Sequence, residues 1–578
     1  AGFFDNRPSL YYALSVPRRF IAGGRRKKQE KESMKIIVIG AVAAGTKAAA
    51  KIKRELGNGA EVLVITRERD ISYAGCGLPY YIGGVIEDRS ELLQNTPESF
   101  AGLTGVTMRC GVEAKGLDAA AKAVTAVDLE SGEELRLEYD KLVIATGARP
   151  VMPNIPGIDL PGVFALRNPS DADAVLEAVN AGMKRAVIVG GGLIGVEMAE
   201  NLSKRGVRVS IIDMAPHILP GFDADFADYV ENLLADNGIP VFLGDGVTEI
   251  EGTDKVTKLR TAKRGIKTDA VIMSVGVRPN TEWLAGSGIE LAKNGSIVVD
   301  DYMRTNIEDV YAAGDVVMVK NRVTGRDMWT PMGSSANLEG RQCAKTVAGT
   351  ARHGFRGVLG TTVVQLPGII AGKTGLGRDA AGAEGLDFEF VTAGVDDKAH
   401  FYPGRAKITI RVVADRQTRK LLGVQALGSD NVDKVIDIAV ALISMGATID
   451  DVDDMDFAYS PPFSTPIHPL TAAVNALENK LDGKYFGGAL SDLDEGTEWI
   501  ELDVGKTPVI PALRHVDVSA INGPIDGVPV DANVKLICTT GKNAYLAENR
   551  LMRYGYKKLF SVEGGTVFNK SLGGKAEE

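Results

Sequence analysis

The 578-residue chain has only four cysteines, five histidines and three tryptophans. It also has no apolar run approaching the ~18–20 residues that a membrane-spanning helix requires, so such a helix is not expected. The cysteines, Cys76, Cys110, Cys343 and Cys538, stand far apart, which rules out a secreted disulfide framework and fits a reducing cytoplasm. Positive charge is not in excess: 66 Lys and Arg face 75 Asp and Glu, for a net charge of -9. With no basic stripe, neither nucleic acid nor a membrane surface is expected as the main partner, although a local basic cluster can still meet an anionic cofactor. No metal-ligand set is expected. What remains is an ordinary globular composition, 45% apolar and 24% charged, with 67 glycines that suggest tight turns and phosphate loops. A prior of ~100–200 residues per domain divides such a length into about three to five units.

Residues 1–33 are basic and patternless and precede Met34, where the strand-like "MKIIVIG" begins. They read as a basic extension or tag without a stable fold. An Arg-rich targeting peptide is disfavoured, because the apolar stretches are short and no signal-peptide layout is present.

"MKIIVIGAVAAGTKAAAKIKREL" runs from an apolar strand (Ile36 to Ile39) through a glycine turn into an Ala- and Lys-rich helix. Gly40 and Gly45 occupy the outer positions of G-x-G-x-x-G, where a tight turn and close helix packing are needed, while Val42 replaces the middle glycine. The next strand, "EVLVIT", ends in Thr66, leaving Glu68 or a backbone group for the ribose. A second copy is complete. "RAVIVGGGLIGVEMAENLSKRGVRVSIID" carries Gly190, Gly192 and Gly195 after an apolar strand, then a helix, a second strand and Asp213. Backbone N–H groups at that helix N-terminus suit a pyrophosphate and Asp213 suits the ribose hydroxyls. The following "MAPH" has no Arg or Lys, which favours NADH over NADPH.

Two further strings, "YDKLVIATGARP" (139–150, with Thr146 and Gly147) and "NIEDVYAAGDVV" (306–317, with Gly314 and Asp315), set an apolar strand against a glycine corner. Together the four motifs resemble the flavoprotein disulfide reductases with two dinucleotide-binding domains, over about residues 34 to 480. The resemblance implies an FAD-binding domain (34–149 and 277–350), with Asp315 on the flavin ribityl chain, interrupted by an NADH-binding domain (150–276). "FRGVLGTTVVQLPGIIAGKTGLG" and the alternating "AKITIRVVAD" resemble that family's dimerisation domain (351–480).

"RDISYAGCGLPYYIGG" holds one cysteine, Cys76, in a glycine-rich stretch before a helix, where the dipole and an adjacent flavin favour the thiolate. No C-x4-C pair is present, since the next cysteine is Cys110; Cys110 and Cys343 read as small buried hydrophobes. The string resembles the single-cysteine branch of the family, which comprises coenzyme A-disulfide reductase, NADH oxidase and NADH peroxidase. Oxidase and peroxidase members carry a His in the first glycine loop, where this chain has Ala43. That absence favours disulfide or persulfide chemistry. "HFYPG" and "AYSPPFS" match the two tyrosines that coenzyme A-disulfide reductases bring to the cysteine from the partner subunit, implying roles for Tyr402 and Tyr459 and a homodimer. Buried aromatic props are the plain alternative. Lys47, Lys51 and Arg54 share one face of the first helix, and with Ser72 they match coenzyme A contacts in the family; a solvated basic face also accounts for the charges. Two further positions that such reductases use appear as Thr104 and Ile467, with His468 adjacent to the latter.

From "WIELDV" onward the pattern restarts, and an apolar strand runs into Cys538, a short loop and a helix from about Asn543. This resembles a rhodanese domain (490–578), with Asp503 and the "EGG" ending in support and a loop whose N–H groups would hold a persulfide. It departs from that pattern at Lys542 and Asn543, where an Arg is usual, and at Gly505. A less charged sulfur carrier than thiosulfate is therefore expected, and a merely structural domain is the alternative. The implied fold is α/β: two dinucleotide-binding (Rossmann-like) domains, an α+β dimerisation domain and a C-terminal rhodanese-like α/β domain. The implied activity is NADH- and FAD-dependent reduction of persulfide, polysulfide or coenzyme A disulfide by Cys76, with Cys538 handling sulfane sulfur and coenzyme A as a possible bound group. The alternatives are an NADH oxidase or peroxidase using Cys76 as a sulfenic acid, and a sulfurtransferase with a regulatory flavin module.

Overall fold

The computed structural model describes residues 33–494 and 496–572, so the extension read over 1–33 lies, apart from Ser33, outside the described residues. Four five-stranded sheets organise the chain. The first is parallel, in the order Val310–Ala312, Lys141–Ile144, Met34–Ile39, Ala60–Thr66, Thr107–Cys110. Its central strand is a continuous apolar run because both faces are covered, and Ile36, Ile37 and Val38 are buried. Helix Ala43–Leu56 covers one face and packs on helix Gly333–Val347. Their close approach needs Gly340, where a Cβ would stand 2.5 Å from the Ala44 carbonyl oxygen.

Strand Met34–Ile39 pairs with Ala60–Thr66 on one side and Lys141–Ile144 on the other. A strand order that reverses at this point opens a crevice at the carboxyl ends of the strands, where ligands bind in such sheets. The second sheet repeats the arrangement, with parallel order Val241–Phe242, Arg208–Ile212, Arg185–Val189, Ala270–Met273, Val163–Ala165.

The third sheet is antiparallel: Thr362–Leu366, Ile369–Gly375, Leu421–Gly428, Lys407–Asp415, Phe388–Asp396. Helices Val432–Met445 and Pro469–Leu481 pack on it. The alternation in Lys407–Asp415 predicts one wet face, yet Ile408 through Ala414 are all buried. Two other regions of the chain cover that second face. Arg411, fully buried, donates to Asp223 (2.9 Å) and Asp225 (2.6 Å), which flank the start of helix Ala224–Asp236 beside the second sheet, and to Thr392 Oγ1 (2.9 Å). Glu563 then accepts the Thr392 N–H (2.7 Å) and faces Lys480 Nζ (3.0 Å).

Glu563 belongs to the fourth sheet's end of the chain. That sheet is parallel, in the order Gly487–Gly488, Leu559–Val562, Val534–Ile537, Ile500–Asp503, Arg514–His515. Phe568 beyond it lies tilted against Phe226 and stacks on Tyr229 of helix Ala224–Asp236, with ring centroids 4.9 and 6.1 Å apart. No helix among the described residues is long and apolar enough to cross a membrane.

Candidate functional site

Cys76 is exposed on the turn Gly75–Gly77, immediately before the six-residue helix Leu78–Gly83. Its segment is tied to the first glycine loop. Ser72, held at φ +50°, donates its N–H to the Ala41 carbonyl (2.9 Å) and accepts from Gln94 N (3.2 Å), while Ala74 N donates to Leu92 O (2.8 Å). All four cysteines are free thiols; Cys343 is buried and Cys110 half-buried, and burial raises both thiol pKa values. Cys343 is thus a small buried hydrophobe and Cys110 a partly covered one, and Cys76 is the exposed sulfur.

Helix Leu78–Gly83 packs on helix Leu193–Lys204, which follows the second glycine loop. The contact is close at Gly83, where a Cβ would stand 2.2 Å from Asn201 Oδ1. One turn away, Tyr80 Oη donates to Glu197 Oε1 at 3.1 Å. Burial pushes the Glu197 carboxyl up to about 7, against the opposing pull of that hydrogen bond. Neither residue stands out in the sequence, because the pair bridges 117 positions.

The two glycine loops have the geometry their spacing implies. A Cβ on Gly40 (φ +107°) would lie 2.1 Å from Ala145 O, and one on Gly45 1.9 Å from Gly40 O. Gly190 and Gly195 repeat this, at 2.3 Å from Ser274 O and 2.0 Å from Gly190 O. Gly192 differs: a Cβ there meets no atom within 4 Å, so the middle glycine leaves open space at the helix start, as a backbone approach by a pyrophosphate needs. Ser274 Oγ, buried beside this loop, has no hydrogen-bond partner among the described residues. Asp213 accepts from Gly191 N (2.7 Å) and Ala215 N (2.8 Å), which fixes its carboxylate at the strand end. These features fit a nicotinamide dinucleotide.

At the flavin-type corners, Thr146 and Gly147 are locked to Asn280: Thr146 Oγ1 donates to Asn280 O (2.8 Å), and Asn280 N donates to Gly147 O (2.9 Å). Asp315 is largely buried; desolvation raises its carboxyl pKa while Arg167, 3.4 Å away, opposes the rise. Gly314 (φ +89°) leans on Ala44, where a Cβ would come 2.8 Å from the Ala44 side chain, and its N–H donates to Glu339 Oε2 (2.8 Å). Glu339 is buried and pushed up to about 8 by desolvation. The sequence reading did not single it out. Two crowded glycine corners and a buried acid at a strand end fit a second dinucleotide in the first crevice.

The basic set is only partly free. Lys47 and Arg54 are exposed, whereas Lys51 is half-buried and paired with Glu55. His468 is not a basic contact: it caps helix Pro469–Leu481 by accepting Leu470 N (3.2 Å), and burial with nearby Lys434 pushes its pKa down to about 4. Ile467 is exposed, and Thr104 Oγ1 donates to Phe100 O (2.6 Å). Tyr459 is exposed and Tyr402 half-buried, and neither hydroxyl has a hydrogen bond among the described residues. Tyr459 lines a cavity of about 470 Å³ with Lys434, Phe457, Phe463 and His468.

Cys538 ends strand Val534–Ile537, 1% exposed, with helix Lys542–Arg553 beginning four residues later. The loop turns its backbone inward: Ala544 N donates to the sulfur (3.3 Å), and the N–H groups of Thr540, Gly541 and Asn543 also favour a thiolate. Desolvation is the larger effect and raises the thiol pKa. Gly565 (φ +58°) locks the loop from behind, since a Cβ there would lie 2.3 Å from Cys538 O. Asp503 accepts Gly505 N (3.0 Å), Val509 N (2.5 Å) and Ile510 N (3.0 Å), holding the neighbouring strand end. The loop also touches the antiparallel sheet, where a Cβ on Gly394 would come within 3.1 Å of Thr540.

Comparison with known proteins agrees with this arrangement. Residues 34–335 match the pyridine nucleotide-disulphide oxidoreductase family, and residues 364–470 match that family's dimerisation domain. The NAD(P)H sulfur oxidoreductase (CoA-dependent) of Pyrococcus furiosus is 36% identical over 449 residues, 77% of this chain and 100% of the relative. The crystal structure of reduced Bacillus anthracis CoADR-RHD superimposes with a TM-score of 0.88 at 31% identity, covering 94% of this chain and 98% of that one. The NAD-dependent persulfide reductase from A. fulgidus gives the same TM-score at 32% identity, over 93% and 100%. With two dinucleotide-type sheets, a lone exposed cysteine between their glycine helices and these matches, the chain belongs to the pyridine nucleotide-disulphide oxidoreductase family.

Proposed function

We propose that this enzyme uses NADH and FAD to reduce persulfides, polysulfides or coenzyme A disulfides through Cys76, and that a rhodanese-like C-terminal domain handles sulfane sulfur on Cys538. The observation that carries the reading is Cys76 itself: an exposed thiol tied to the first glycine loop and seated immediately before a helix that packs against the helix of the second. The sulfur chemistry is supported by the printed activities of the P. furiosus and A. fulgidus relatives.

Gly40, Gly45, Thr146, Gly147, Gly314 and Asp315 would hold FAD, and Gly190, Gly192, Gly195 and Asp213 would hold NADH. Bound FAD supplies the route for an electron pair from NADH to sulfur. The chain's own part is thiol exchange. The Cys76 thiolate attacks one sulfur of R–S–SH or CoA–S–S–R, forming a new S–S bond to Cys76 and expelling sulfide or a thiolate from the bond it breaks. Two electrons from NADH then cleave that bond, returning the Cys76 thiolate and releasing the sulfur bound to it, as a thiol where sulfide left first or where the substrate is a disulfide, and as sulfide where the thiolate of a persulfide left first. Tyr402 and Tyr459, brought from the partner of a homodimer, are assigned to the departing thiolate. Exposed Lys47 and Arg54, with Ser72 and the partly engaged Lys51, are assigned to coenzyme A.

The inward N–H groups around Cys538 suit an anionic persulfide, and its burial, in a loop whose Thr540 lies against Gly394, favours a slim, weakly charged donor over thiosulfate. Replacing Cys76 by Ser is expected to abolish NADH-dependent reduction of every sulfur substrate, and unchanged turnover would sink the mechanism. Cys538→Ser is expected to spare small disulfides while impairing persulfide and polysulfide turnover. Equal rates on both substrate classes would leave the C-terminal domain a structural role.

A further inference from the structure

Strand Phe388–Asp396 is an edge of the antiparallel sheet, and an edge strand leaves backbone N–H groups without a ladder partner. The end of the chain covers this edge. Thr392 N donates to Glu563 Oε2 (2.7 Å), and Lys480 Nζ, held at the Phe390 carbonyl (2.8 Å), donates to Glu563 Oε1 (3.0 Å). Glu563 is buried and its backbone is fixed: its N–H donates to Gly488 O (3.0 Å) and its carbonyl accepts Asn569 Nδ2 (2.9 Å). The residues that follow it brace the Cys538 loop. Thr566 N donates to Cys538 O and Val567 N to Thr539 O, both at 3.0 Å. Gly541, at the turn into helix Lys542–Arg553, lies against the same segment, since a Cβ there would stand 3.2 Å from Gly564 N and 3.7 Å from Glu563 Cα. The loop also meets the edge strand directly, two residues beyond Thr392, where a Cβ on Gly394 would be 3.1 Å from Thr540 Cβ and O. The Cys538 loop is therefore clamped between the segment that Glu563 anchors and the strand on which Glu563 is anchored.

We propose that strand Phe388–Asp396 is part of the sulfur site, with Glu563 a positioning residue that holds the loop N–H groups around Cys538 in the arrangement sulfur uptake requires, and Gly394 leaving the room the loop occupies. The inference deepens the assignment of Cys538 to sulfane sulfur and rests on it. In the step concerned, the Cys538 thiolate attacks the outer sulfur of R–S–SH; an S–S bond forms to Cys538 and the bond from that sulfur to R–S breaks. The proton of the persulfide passes to the departing thiolate, so the products are Cys538–S–S⁻ and R–SH, with no external oxidant or reductant. Negative charge moves from Sγ to the terminal sulfur, and N–H groups fixed in advance stabilise it there without reorganising. A loop freed from its clamp loses that advantage.

The contacts also say which variants separate positioning from bulk stability. Lys480 keeps partners when the carboxylate is removed, because its Nζ also faces Glu389 Oε1 at 3.2 Å and the Phe390 carbonyl. Glu563→Gln retains an acceptor for the Thr392 N–H, whereas Glu563→Ala leaves that N–H unpaired. Gly394→Val tests the same clamp from the dimerisation domain without touching the buried carboxylate: its side chain pushes on Thr540 and so on the loop.

In the test, the full-length holoenzyme without NADH is mixed with glutathione persulfide and quenched at intervals with an alkylating agent. Gain of one sulfur on the Cys538 peptide is followed by mass spectrometry, which separates it from the other three cysteines. Wild type and Glu563→Gln are expected to load at the same rate. Glu563→Ala and Gly394→Val should each load on the order of tenfold more slowly, as a misplacement of the anion-binding N–H groups well under ~1 Å would give. Reduction of small disulfides through Cys76, flavin content and the thermal midpoint are measured on every variant, and Cys76 turnover is expected to be unchanged. Rescue by Gln together with a loss caused from another domain is a pattern that a merely structural Glu563 would not produce. Wild-type loading in Glu563→Ala or in Gly394→Val would overturn the proposal. A wild type that gains no sulfur at Cys538 would instead overturn the assignment of Cys538 itself, so the two failures are distinct.

Discussion

Glu339 offers the sharpest test of how the first dinucleotide crevice is built. Its carboxyl is buried, accepts the Gly314 N–H at 2.8 Å, lies in the field of Asp315 and is pushed up to about 8 from 4.5. The native state therefore keeps a proton that the unfolded chain has released across this window. The stability associated with that proton is fully present below about pH 4.5 and is lost as pH rises through about 8. At ~1.4 kcal/mol for each pH unit, wild-type stability should fall by about 3 kcal/mol between pH 6 and 9 through this one group. Glu339→Gln keeps a carbonyl oxygen for Gly314 N–H and cannot ionise. Glu197 and Glu548, which burial also raises to about 7, remain in both proteins and cancel in the difference. The assay is the thermal midpoint of the holoenzyme at half-unit pH steps. The two curves should diverge by roughly 2–3 °C across the range, the wild type dropping below the variant in alkali. Parallel curves would refute a buried, protonated Glu339 and the tight Gly314 corner inferred with it.

Arg411→Met should destabilise the protein by about 3–5 kcal/mol, because Asp223 and Asp225 would be left charged beneath the antiparallel sheet. A loss under about 1 kcal/mol by denaturation would show that those carboxylates find other partners. The glycines of the second loop should separate fold from binding. Gly195→Ala forces a Cβ to 2.0 Å from Gly190 O and is expected to lower the thermal midpoint, whereas Gly192→Ala meets no protein atom and should leave the midpoint unchanged. NADH affinity, measured by titration, should nonetheless fall about tenfold in Gly192→Ala, since the added methyl occupies the phosphate approach. Unchanged affinity would place the pyrophosphate elsewhere.

Local pattern made the glycine loops legible, because strand, turn, helix and terminal acid follow one another within about thirty residues. The Cys538 loop was legible for the same reason, and its inward N–H groups are a consequence of a short strand-to-helix turn. Pairs made between distant segments were not. Glu339 meets Gly314 25 residues away, Tyr80 meets Glu197 across 117, and Arg411 meets Asp223 across 188. In "KITIRVVAD" the arginine sits where alternation predicts solvent, and only the arrival of the second and fourth sheets' regions buries it. In the basic set, Lys51 also meets Glu55, an i, i+4 partner visible in the sequence. A helix-capping histidine and a phosphate-binding one look alike in sequence, and only burial and the hydrogen bond from Leu470 N distinguish them at His468.

The central claim is that electrons from NADH reach sulfur through Cys76, and stoichiometry tests it most directly. Under anaerobic conditions, NADH oxidation and sulfide release are followed together with a small organic persulfide as substrate. The balanced reaction, R–S–SH + NADH + H⁺ → R–SH + H₂S + NAD⁺, predicts one sulfide for each NADH consumed by the wild type and neither change in Cys76→Ser. NADH consumption that depends on added oxygen or peroxide and yields no sulfide would contradict it.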